Sequence, residues 1–405
     1  MNAAVKFVIY FFDTIQIILA LYILVPVAGL FLYLFKKKNE THAPVLSSEF
    51  LSRNFEFAII VTVYQDIDFI DPIVDSILKQ SYKNYHVYIV ADDCDISTIT
   101  LPPGKISLLK PTQPLHSKIK SIHYAISSMQ KQADAIIILD ADNLIHPDFL
   151  YKINTYFQKG YKVVQAGFKP KNTSTIYARM DAIGDMYNFF TEREMRMLMG
   201  VSSTIWGSGI AIDLSLYKEV EYNDYLGGFD KKLQAYLVQK VDRIAYAPDA
   251  ILYDEKISSG KSLENQRTRW INSYFKYFKD CWNILKNGLK KGNFNLIYFG
   301  FNTLRPPLFI VLGSAAITTV IDIFLDVRFY HTWLILLSTF FISFILIVII
   351  KGQDIKYLKT LLMLPFFVAR QIAALFKLNK ANRSFLKTQN HHIVYISDLL
   401  SSEKQ

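Results

Sequence analysis

The chain has 405 residues, of which 51% are hydrophobic, so it can bury a sizeable core and carry further apolar segments. Its formal net charge of +10 suits anionic lipid or an anionic substrate, but there is no long basic run with interleaved aromatic residues, which excludes nucleic acid as the partner. The two cysteines, Cys94 and Cys281, are too few for a disulfide framework and fit a reducing compartment.

The apolar excess begins near the N-terminus. The stretch from Thr14 to Phe35 is long enough to cross a bilayer, which takes roughly 20 residues. A signal peptide is the alternative, but its apolar region is shorter, about 7–15 residues. Three lysines follow at 36–38, and lysines beside a span are retained in the cytoplasm. We therefore expect residues 1–36 to form a transmembrane helix with its N-terminus outside, followed by a polar linker over 37–52 and a cytosolic domain.

The pattern over residues 53–270 predicts a soluble α/β domain. Runs rich in β-branched residues alternate with segments whose apolar residues recur at helical spacing. Strands are expected at 55–64, 85–93 and 134–142, and helices at 68–80 and 117–132. This order predicts a mostly parallel, Rossmann-like sheet with helices on both faces. In such sheets, ligands bind beyond the carboxyl ends of the strands.

Acidic residues follow two of these strands. Asp92 and Asp93 end the second strand, and Asp140 and Asp142 end the third with one residue between them. A carboxylate at a strand end can accept hydrogen bonds from a ribose hydroxyl or a base N–H. Two carboxylates at this spacing can bind one hard cation and bridge it to a diphosphate. Taken alone, each pattern is also that of a solvated turn.

Two glycine-containing motifs come next. In "WGSG" (206–209), Trp206 offers a flat face of the kind that stacks on sugar rings, and the glycines let the backbone approach a ligand. In "GGFD" (227–230), Asp230 can take a proton from an attacking hydroxyl if it lies in an occluded cleft. The alternatives are a packed turn with a core tryptophan and a helix start whose dipole favours an acid. Spacing alone favours the second alternative for Asp230.

The motif "QRTRW" (266–270) is more specific. On a helix, Gln266, Arg269 and Trp270 fall on one face, which combines an amide, a fixed cation and an aromatic ring. Arginine is suited to a leaving diphosphate because its guanidinium matches phosphate oxygens. The alternative is an amphipathic helix that packs its tryptophan on the core.

The apolar excess returns near the C-terminus. Two apolar stretches within 307–350 are joined by a short link and predict a transmembrane hairpin. The stretch 357–376 contains two basic residues and resembles an amphipathic helix at the interface more than a span. We expect amphipathic interfacial helices over 271–306 and an interfacial helix with a cytosolic tail over 351–405.

Read in chain order, six short motifs carry a family resemblance. They resemble the membrane-integrated inverting glycosyltransferases of family 2, the group of cellulose synthase, hyaluronan synthase and poly-N-acetylglucosamine synthase. The resemblance implies a GT-A fold, a UDP-sugar donor and Mg²⁺ or Mn²⁺ as the cofactor. The motifs are "TVYQD" (62–66), "ADD" (91–93), "DAD" (140–142), "WGSG" (206–209), "FD" (229–230) and "QRTRW" (266–270).

The resemblance also implies roles for individual residues. Asp230 is the general base that deprotonates the acceptor hydroxyl, and Lys118 lies near the diphosphate. Asp140 and Asp142 hold the diphosphate and its metal, Asp142 most directly. The expected contacts to the nucleoside side of the donor are Thr62, Tyr64, Asp66, Asp92 and Asp93. The expected acceptor and diphosphate contacts are Trp206, Gln266, Arg267, Arg269 and Trp270.

The chain departs from the family pattern in two respects. Phe229 stands where an acid usually precedes the base, so Asp224 and Asp254 are fallback candidates. Asp254 is the stronger of these two because Glu255 follows it. There is no clear gating loop of the polymer-synthase type, and two or three spans are few for a polymer channel within one chain.

These observations lead to a functional expectation. We expect transfer of a hexose or N-acetylhexosamine from a UDP-sugar to a growing glycan at the cytosolic face of a bacterial inner membrane. Addition of a single sugar to a lipid carrier or glycolipid is the alternative, and a catalytically inactive membrane scaffold is the second. The expected partners are the donor, a glycan or lipid-linked acceptor and the bilayer, with room for a partner subunit or a homo-oligomer.

Overall fold

The computed structural model describes residues 3–35, 52–222, 224–225, 227–325, 327, 329–375 and 392–403. The lysines at 36–38, the predicted linker apart from Ser52, and residues 376–391 of the predicted tail lie outside the described residues. The predicted domain boundaries and the predicted orientation of the chain therefore stay predictions.

A central sheet of eight strands organises the described part of the chain. Its spatial order is β3-β2-β1-β4-β7-β6-β8-β5. The strands are β1 (Phe57–Tyr64), β2 (Tyr85–Asp92), β3 (Ile106–Leu109), β4 (Ala135–Asp140), β5 (Leu144–Ile145), β6 (Val163–Pro170), β7 (Ile210–Asp213) and β8 (Ala245–Asp254).

Helices surround this sheet and extend from it. The helices are α1 (Ala3–Phe35), α2 (Ile70–Leu78), α3 (Lys118–Ser127), α4 (Phe149–Gln158), α5 (Ile176–Phe189), α6 (Met195–Leu198), α7 (Leu214–Lys218), α8 (Phe229–Leu237), α9 (Gly260–Lys276), α10 (Phe278–Lys291), α11 (Phe294–Thr303), α12 (Leu308–Phe324), α13 (Phe329–Gly352), α14 (Ile355–Thr360), α15 (Leu364–Leu375) and α16 (Ile396–Ser402). A π-helical turn (Phe190–Glu194) joins α5 to α6, and a 3₁₀ turn (Leu361–Met363) joins α14 to α15.

The mostly parallel sheet predicted from the sequence is confirmed. The strand β1 pairs in parallel with both β2 and β4, and β2 pairs in parallel with β3. The pattern predicted only β1, β2 and β4 of the eight strands. Of the others, β7 runs antiparallel to both β4 and β6, and β5 runs antiparallel to β8. Parallel neighbours need a long crossover, whereas β7 follows directly on the "WGSG" segment at the edge where β4 ends. It therefore leaves that edge in the opposite direction, and the sheet is mixed.

Alternate residues of the buried strands face two different cores, as the period of a strand requires. Ile59 and Val61 of β1 pack with α2 and α4, whereas Ala58 and Ile60 pack with α3 on the other side. The prediction of helices on both faces is thus confirmed. One predicted boundary is wrong, because the helix expected over 117–132 ends at Ser127.

Three described helical stretches are long and apolar enough to cross a membrane: Lys6–Phe35, Phe329–Gly352 and Ile355–Leu375. The predicted span at 307–325 is α12, which is bent by 78° from α11 and forms a fourth candidate only together with it. The break between α11 and α12 contains two prolines, which cannot donate the backbone hydrogen bonds of a continuous helix.

Polar and apolar contacts hold these helices together. Ile23 of α1 is fully buried among α12 and α13, and the Trp333 indole of α13 donates a 2.8 Å hydrogen bond to Gln16 of α1. The helix α15 lies against α9, where Arg370 forms a 2.5 Å ion pair with Glu264. The stretch Ile355–Leu375 also has the length and composition of a span. Its expected position at the membrane interface therefore stays a prediction.

The crossing of α10 and α11 gives a test of the fold. A Cβ at Gly300 would lie 2.5 Å from the backbone nitrogen of Leu285, so the two helices can approach only because this residue is glycine. We expect Gly300→Ala to lower the free energy of unfolding in detergent by about 1–3 kcal/mol through overpacking. The measurement is the unfolding midpoint of the purified protein.

Gly313→Ala is the matched control, because a Cβ at Gly313 in α12 meets no described atom within 4 Å. Alanine has the higher helix propensity, so this variant should match or exceed the wild type. Equal midpoints for Gly300→Ala and the wild type would contradict the packing described here.

Candidate functional site

The carboxyl ends of β1, β2 and β4 lie in register at one edge of the sheet. Tyr64 at the end of β1 is the partner of Asp92, and Thr62 is the partner of Asp140. The pairing therefore brings the acids that end β2 and β4 to the same edge of the sheet.

Two residues directly after the strands have left-handed backbone, which turns their side chains together. Gln65 has φ 62° and Asp93 has φ 55°, and the Gln65 amide donates a 2.7 Å hydrogen bond to the Asp93 carboxylate. Beside them, the Tyr64 hydroxyl and the His116 ring nitrogen Nδ1 are 3.1 Å apart. All four side chains lie at the surface of the edge, where a flat ligand can reach them.

Asp92 and Asp66 have different surroundings from Asp93. The buried Asp92 carboxylate accepts hydrogen bonds from the backbone N–H groups of Leu115 (2.6 Å) and His116 (2.8 Å). The Asp66 carboxylate accepts from the backbone of Asp68 at 3.2 Å. Asp92 thus fixes the loop that leads into α3, and its expected contact with a nucleoside stays a prediction.

Lys118 joins two of the motifs found in the sequence. It is the first residue of α3, and its ammonium group forms an ion pair with Asp140 of "DAD". The same ammonium donates a 2.6 Å hydrogen bond to the backbone carbonyl of Gly207 in "WGSG". One cation therefore neutralises the strand-end acid and holds the glycine loop beside it.

Asn143 strengthens this junction, although the sequence analysis did not single it out. Its side-chain oxygen accepts from the Asp140 backbone N–H at 2.9 Å and from the Ser208 hydroxyl. Asn143 is fully buried. Its position directly after "DAD" was the available signal, but an asparagine there also suits a plain turn.

Asp142 lies in a buried acidic environment. Burial, together with the carboxylates of Asp254 and Asp140, raises the pKa of Asp142 to about 8. Lys171 at the end of β6 donates a 2.8 Å hydrogen bond to the backbone carbonyl of Asp142. When neighbouring groups raise the pKa of an acid in this way, a cation bound beside it stabilises the ionised form.

The donor set fits a divalent metal that is shared with a substrate. Asp140 and Asp142 are hard oxygen ligands, and Mg²⁺ in proteins takes one or two carboxylates plus phosphate and water oxygens. Within the described residues, no group of three or more histidine, cysteine or acidic side chains is arranged to hold a metal. The remaining ligands would therefore come from the substrate and solvent.

A buried chain of charges lies behind Asp142. The ammonium of Lys256, which is 2% exposed, forms ion pairs with Asp185 and, at 2.7 Å, with Asp254. Asn143 connects this chain to "DAD", since its amide nitrogen lies 3.4 Å from an Asp254 oxygen. Asp254 is a candidate from the sequence, but Lys256 and Asp185 are not, because nothing in the sequence shows that α5 packs on the end of β8.

The three candidate base residues differ in their partners. Asp254 is bound to Lys256 as described, and Asp224 forms a 2.6 Å ion pair with Lys276. Asp230 lies half-buried in the first turn of α8 and forms no ion pair with any residue that the structure describes. Of the three, Asp230 has the carboxylate that is least engaged by cations.

Phe229, which occupies the position of an expected acid, has a packing role. Its ring lies 5.2 Å from the Lys118 ammonium, and a Cβ at Gly207 would lie 3.2 Å from the ring edge. Phe229 is 8% exposed. It therefore supports the junction of Lys118 and Gly207, and Asp230 follows it in the first turn of α8.

The residues of "QRTRW" lie on α9 as predicted. Burial lowers the pKa of Arg269, while the nearby Asp140 carboxylate raises it, which places this guanidinium close to "DAD". The rings of Trp270 and Trp206 are 5.9 Å apart. Gln266 has a buried side-chain oxygen without a hydrogen-bond partner in the described part of the chain.

Arg267 has a partner of its own. It forms a 2.8 Å ion pair with Asp181 of α5 and lies 4.3 Å over the ring of Trp270.

Taken together, these contacts bring Lys118, Asp140 and Arg269 together at the sheet edge, with the two tryptophans beside them.

The mixed eight-stranded sheet, with acids at the carboxyl ends of its central parallel strands, is GT-A-like. Residues 54–273 match the family model described as "Glycosyltransferase like family 2". Since this match covers more than half of the 405 residues, the chain belongs to that family.

The mannosyltransferase below shares the fold, and a second structure is similar only at a lower TM-score. The mannosyltransferase PcManGT from Pyrobaculum calidifontis, in complex with GDP-Man and Mn²⁺, has a TM-score of 0.55 at 15% identity over 92% of this chain and 99% of its own. S. aureus TarS 1-349 in complex with UDP-GlcNAc has a TM-score of 0.37 at 13% identity over 69% of this chain and 90% of its own. No curated protein matches the chain significantly.

The buried lysine behind "DAD" gives a test of the site. In Lys256→Met, Asp185 and Asp254 lose their shared cation, so we expect the free energy of unfolding to fall by about 3–5 kcal/mol. Lys240→Met is the control, because the Lys240–Glu219 pair is exposed (3.4 Å) and exposed ion pairs contribute little to stability. The measurement is the unfolding midpoint of both variants in detergent.

The pH dependence of this loss follows from Asp185. Burial raises the pKa of Asp185 to about 6, and Lys256 opposes that rise. An acid with a raised folded-state pKa favours unfolding once it ionises, and the loss of Lys256 raises that pKa further. The deficit of Lys256→Met should therefore be largest at alkaline pH, shrink as the pH falls towards about 6, and level off below that value, where Asp185 is protonated in both folded proteins. A deficit independent of pH would contradict the ion-pair account.

Proposed function

We propose that the protein is an inverting glycosyltransferase that moves a hexose or N-acetylhexosamine from a UDP-sugar to a glycan acceptor. Within family 2 we place it with the membrane-integrated group that includes cellulose, hyaluronan and poly-N-acetylglucosamine synthases. The observation that supports this most strongly is the meeting of Lys118, Arg269 and the two acids of "DAD" at one sheet edge. Cations and carboxylates so arranged suit a diphosphate with a metal.

The donor is held from two sides in this proposal. Tyr64, Thr62, Asp66 and Asp93 line the nucleoside side, with Asp92 shaping the adjoining loop. Asp142 and Asp140 hold Mg²⁺ or Mn²⁺, which when bound would neutralise charge on the leaving diphosphate. Lys118 and Arg269 supply fixed positive charge to the same oxygens, and both already lie near Asp140.

Asp230 acts as the general base. Its carboxylate takes the proton of the acceptor hydroxyl while that oxygen forms a bond to C1 of the sugar. The bond between C1 and the diphosphate oxygen breaks, and its electron pair leaves with UDP. Attack from the face opposite UDP inverts the anomeric configuration without a covalent enzyme intermediate. The lack of an ion pair at Asp230, compared with Asp254 and Asp224, supports this choice.

The acceptor end is formed by Trp206, Trp270, Gln266 and Arg267. Trp270 is 39% exposed and the two indoles are neighbours, so together they offer a platform for a sugar ring. Extension of a polysaccharide is the proposed use of this platform. Transfer of one sugar to a lipid carrier or glycolipid is the second candidate, which the small number of candidate spans in the described residues favours.

An inactive scaffold has little support. Its one argument was Phe229 at the position of an expected acid, and the contacts of Phe229 with Lys118 and Gly207 give that ring a packing role.

We further propose that the catalytic domain lies on the cytosolic face of a bacterial inner membrane. The three candidate spans in the described residues are consistent with membrane integration, and the lysines at 36–38 favour a cytosolic domain. The helix α10 exposes Phe278, Trp282 and Leu289 while Cys281 is buried, which suits a position at the membrane surface.

The first prediction from this proposal concerns turnover. Purified protein with Mg²⁺ or Mn²⁺ should release UDP from one member of a panel of UDP-glucose, UDP-N-acetylglucosamine and UDP-galactose, with GDP-mannose included as the alternative nucleotide. Asp230→Asn should lower the rate by about 10²–10⁴-fold because the base is lost, and Asp142→Asn should abolish metal-dependent turnover.

Asp224→Asn is the matched control, since Asp224 is an acid near the same helix that is bound to Lys276. It should keep nearly full activity. Full activity of Asp230→Asn, or loss in Asp224→Asn alone, would overturn the assignment of the base.

A second prediction concerns metal affinity and pH. Metal ligands must be deprotonated, and the pKa of Asp142 is raised to about 8. We therefore expect Mn²⁺ affinity to rise about tenfold per pH unit up to that value and then to level off. Mn²⁺ electron paramagnetic resonance titrations between about pH 6.5 and pH 8.5 measure it. Asp142→Asn should remove the dependence, and an unchanged slope in that variant would exclude Asp142 as the titrating ligand.

A further inference from the structure

The π-helical turn Phe190–Glu194 lies directly behind the tryptophan of "WGSG". Turns of this kind inside α-helices are uncommon and frequent at functional sites. Here the wider turn leaves the Glu192 backbone carbonyl to accept a 3.0 Å hydrogen bond from the backbone N–H of Thr204. The turn therefore anchors the segment that leads into Trp206.

The same turn is attached to the membrane helices. The Phe190 ring packs against Tyr33 of α1 at 5.2 Å between ring centres, and Glu194 forms a 2.5 Å ion pair with Lys351 of α13. Glu192 forms a 2.8 Å ion pair with Arg305, in the break between α11 and α12. Three separate parts of the apolar bundle thus meet the catalytic domain at one short segment.

Arg193, in the middle of this turn, is an unusual residue for such a position. Its side chain is fully buried, and none of its three guanidinium nitrogens has a hydrogen-bond partner within the described ranges. A buried charge without hydrogen bonds costs stability, so its presence calls for another explanation.

Aromatic rings provide that explanation. The guanidinium carbon of Arg193 lies 4.5 Å from the Phe189 ring centre and 4.7 Å from that of Trp206. Arginine is attracted to the faces of such rings, and most strongly to tryptophan. The contact therefore holds the plane of the Trp206 ring against the π turn.

Trp206 is one member of a continuous series of side-chain contacts. Its ring neighbours Trp270 at 5.9 Å, and Arg267 lies 4.3 Å over Trp270. Arg267 is itself fixed by Asp181. The order Arg193, Trp206, Trp270, Arg267 places two cations at the ends and the two indoles of the acceptor platform between them.

We propose that Arg193 is a positioning residue that sets the orientation of Trp206 in the acceptor platform, and that the π turn ties this orientation to the membrane helices. The inference rests on the proposed transfer reaction and names a residue that acts through Trp206 rather than on the substrate. It explains why a hydrogen-bond-deficient arginine is retained in a buried position.

The test compares full-length Arg193→Met, Arg193→Lys and Arg196→Met in detergent. Arg196 is the matched control, because it is buried in the same segment and pairs with Glu192 but lies over Phe299, at 5.3 Å, instead of Trp206. The measurements are kcat and donor KM for the sugar donor that turns over, and the emission of Trp206, taken as the difference from a Trp206→Phe background.

We expect Arg193→Met to lower kcat by about 10-fold to 100-fold, since a misplacement of about 1 Å has this effect, with donor KM within about threefold of wild type. Arg193→Lys should recover part of the loss, and Arg196→Met should keep kcat. The Trp206 emission should change in Arg193→Met and not in Arg196→Met. Thermal stability of Arg193→Met should be equal to or above wild type, because an unpaired buried charge is removed.

Unchanged kcat and unchanged Trp206 emission in Arg193→Met would overturn the proposal, as would an equal loss of kcat in Arg196→Met. If the wild type turns over no nucleotide sugar, the proposed function fails on its own. In that case the emission measurement still decides whether Arg193 orients Trp206.

Discussion

The ion pair between Lys118 and Asp140, together with the hydrogen bond from the same ammonium to Gly207, is the contact on which the site depends. It joins the end of β4, the start of α3 and the glycine loop before β7, three segments that are far apart in sequence. The positions of the other proposed site residues are described relative to these three segments. Phe229 packs on this junction, and Arg269 of α9 interacts electrostatically with Asp140.

Charge balance explains how so many acids lie at one sheet edge. Asp140 forms an ion pair with Lys118, and Asp254 forms one with Lys256. The buried Lys171 donates a hydrogen bond to the backbone carbonyl of Asp142. Burial and the neighbouring acids disfavour the ionised form of the Asp142 carboxyl group, which is why its pKa is raised. A bound cation would offset the negative charge at this edge of the sheet. This supports the proposal that metal and diphosphate bind together. The membrane helices add a further constraint, because the π turn connects them to Trp206.

The sequence predicted the parts of the fold that local pattern determines. The strands β1, β2 and β4 are continuous runs of β-branched residues that end in polar ones, so their existence, direction and shared edge could be predicted. The direction of β7 could not, because four residues carry no such information and their orientation depends on where the preceding loop lies. The helix α3 was expected to extend to residue 132 and ends at Ser127, since helix ends are weakly marked in a polar stretch.

The candidate site shows the same division. Asp140, Asp142 and the residues of "QRTRW" could be proposed from the sequence because they belong to an ordered set of motifs that is specific as a whole. Asn143, Lys256 and Arg193 could not, because their roles come from packing between distant elements. Arg193 is the clearest case, since a lone arginine in a helical stretch indicates a solvated face, and only the fold shows that it is buried between two aromatic rings.

The central claim is a single displacement at this edge, with Asp230 as the base and no covalent intermediate. The most direct test is the anomeric configuration of the product, measured by proton nuclear magnetic resonance at an early time of the reaction with the donor that turns over. The account predicts a new glycosidic bond whose configuration is opposite to that of the sugar in the donor. Retention of the donor configuration would contradict it, because retention requires a second displacement or a nucleophile that Asp230 in this role does not provide.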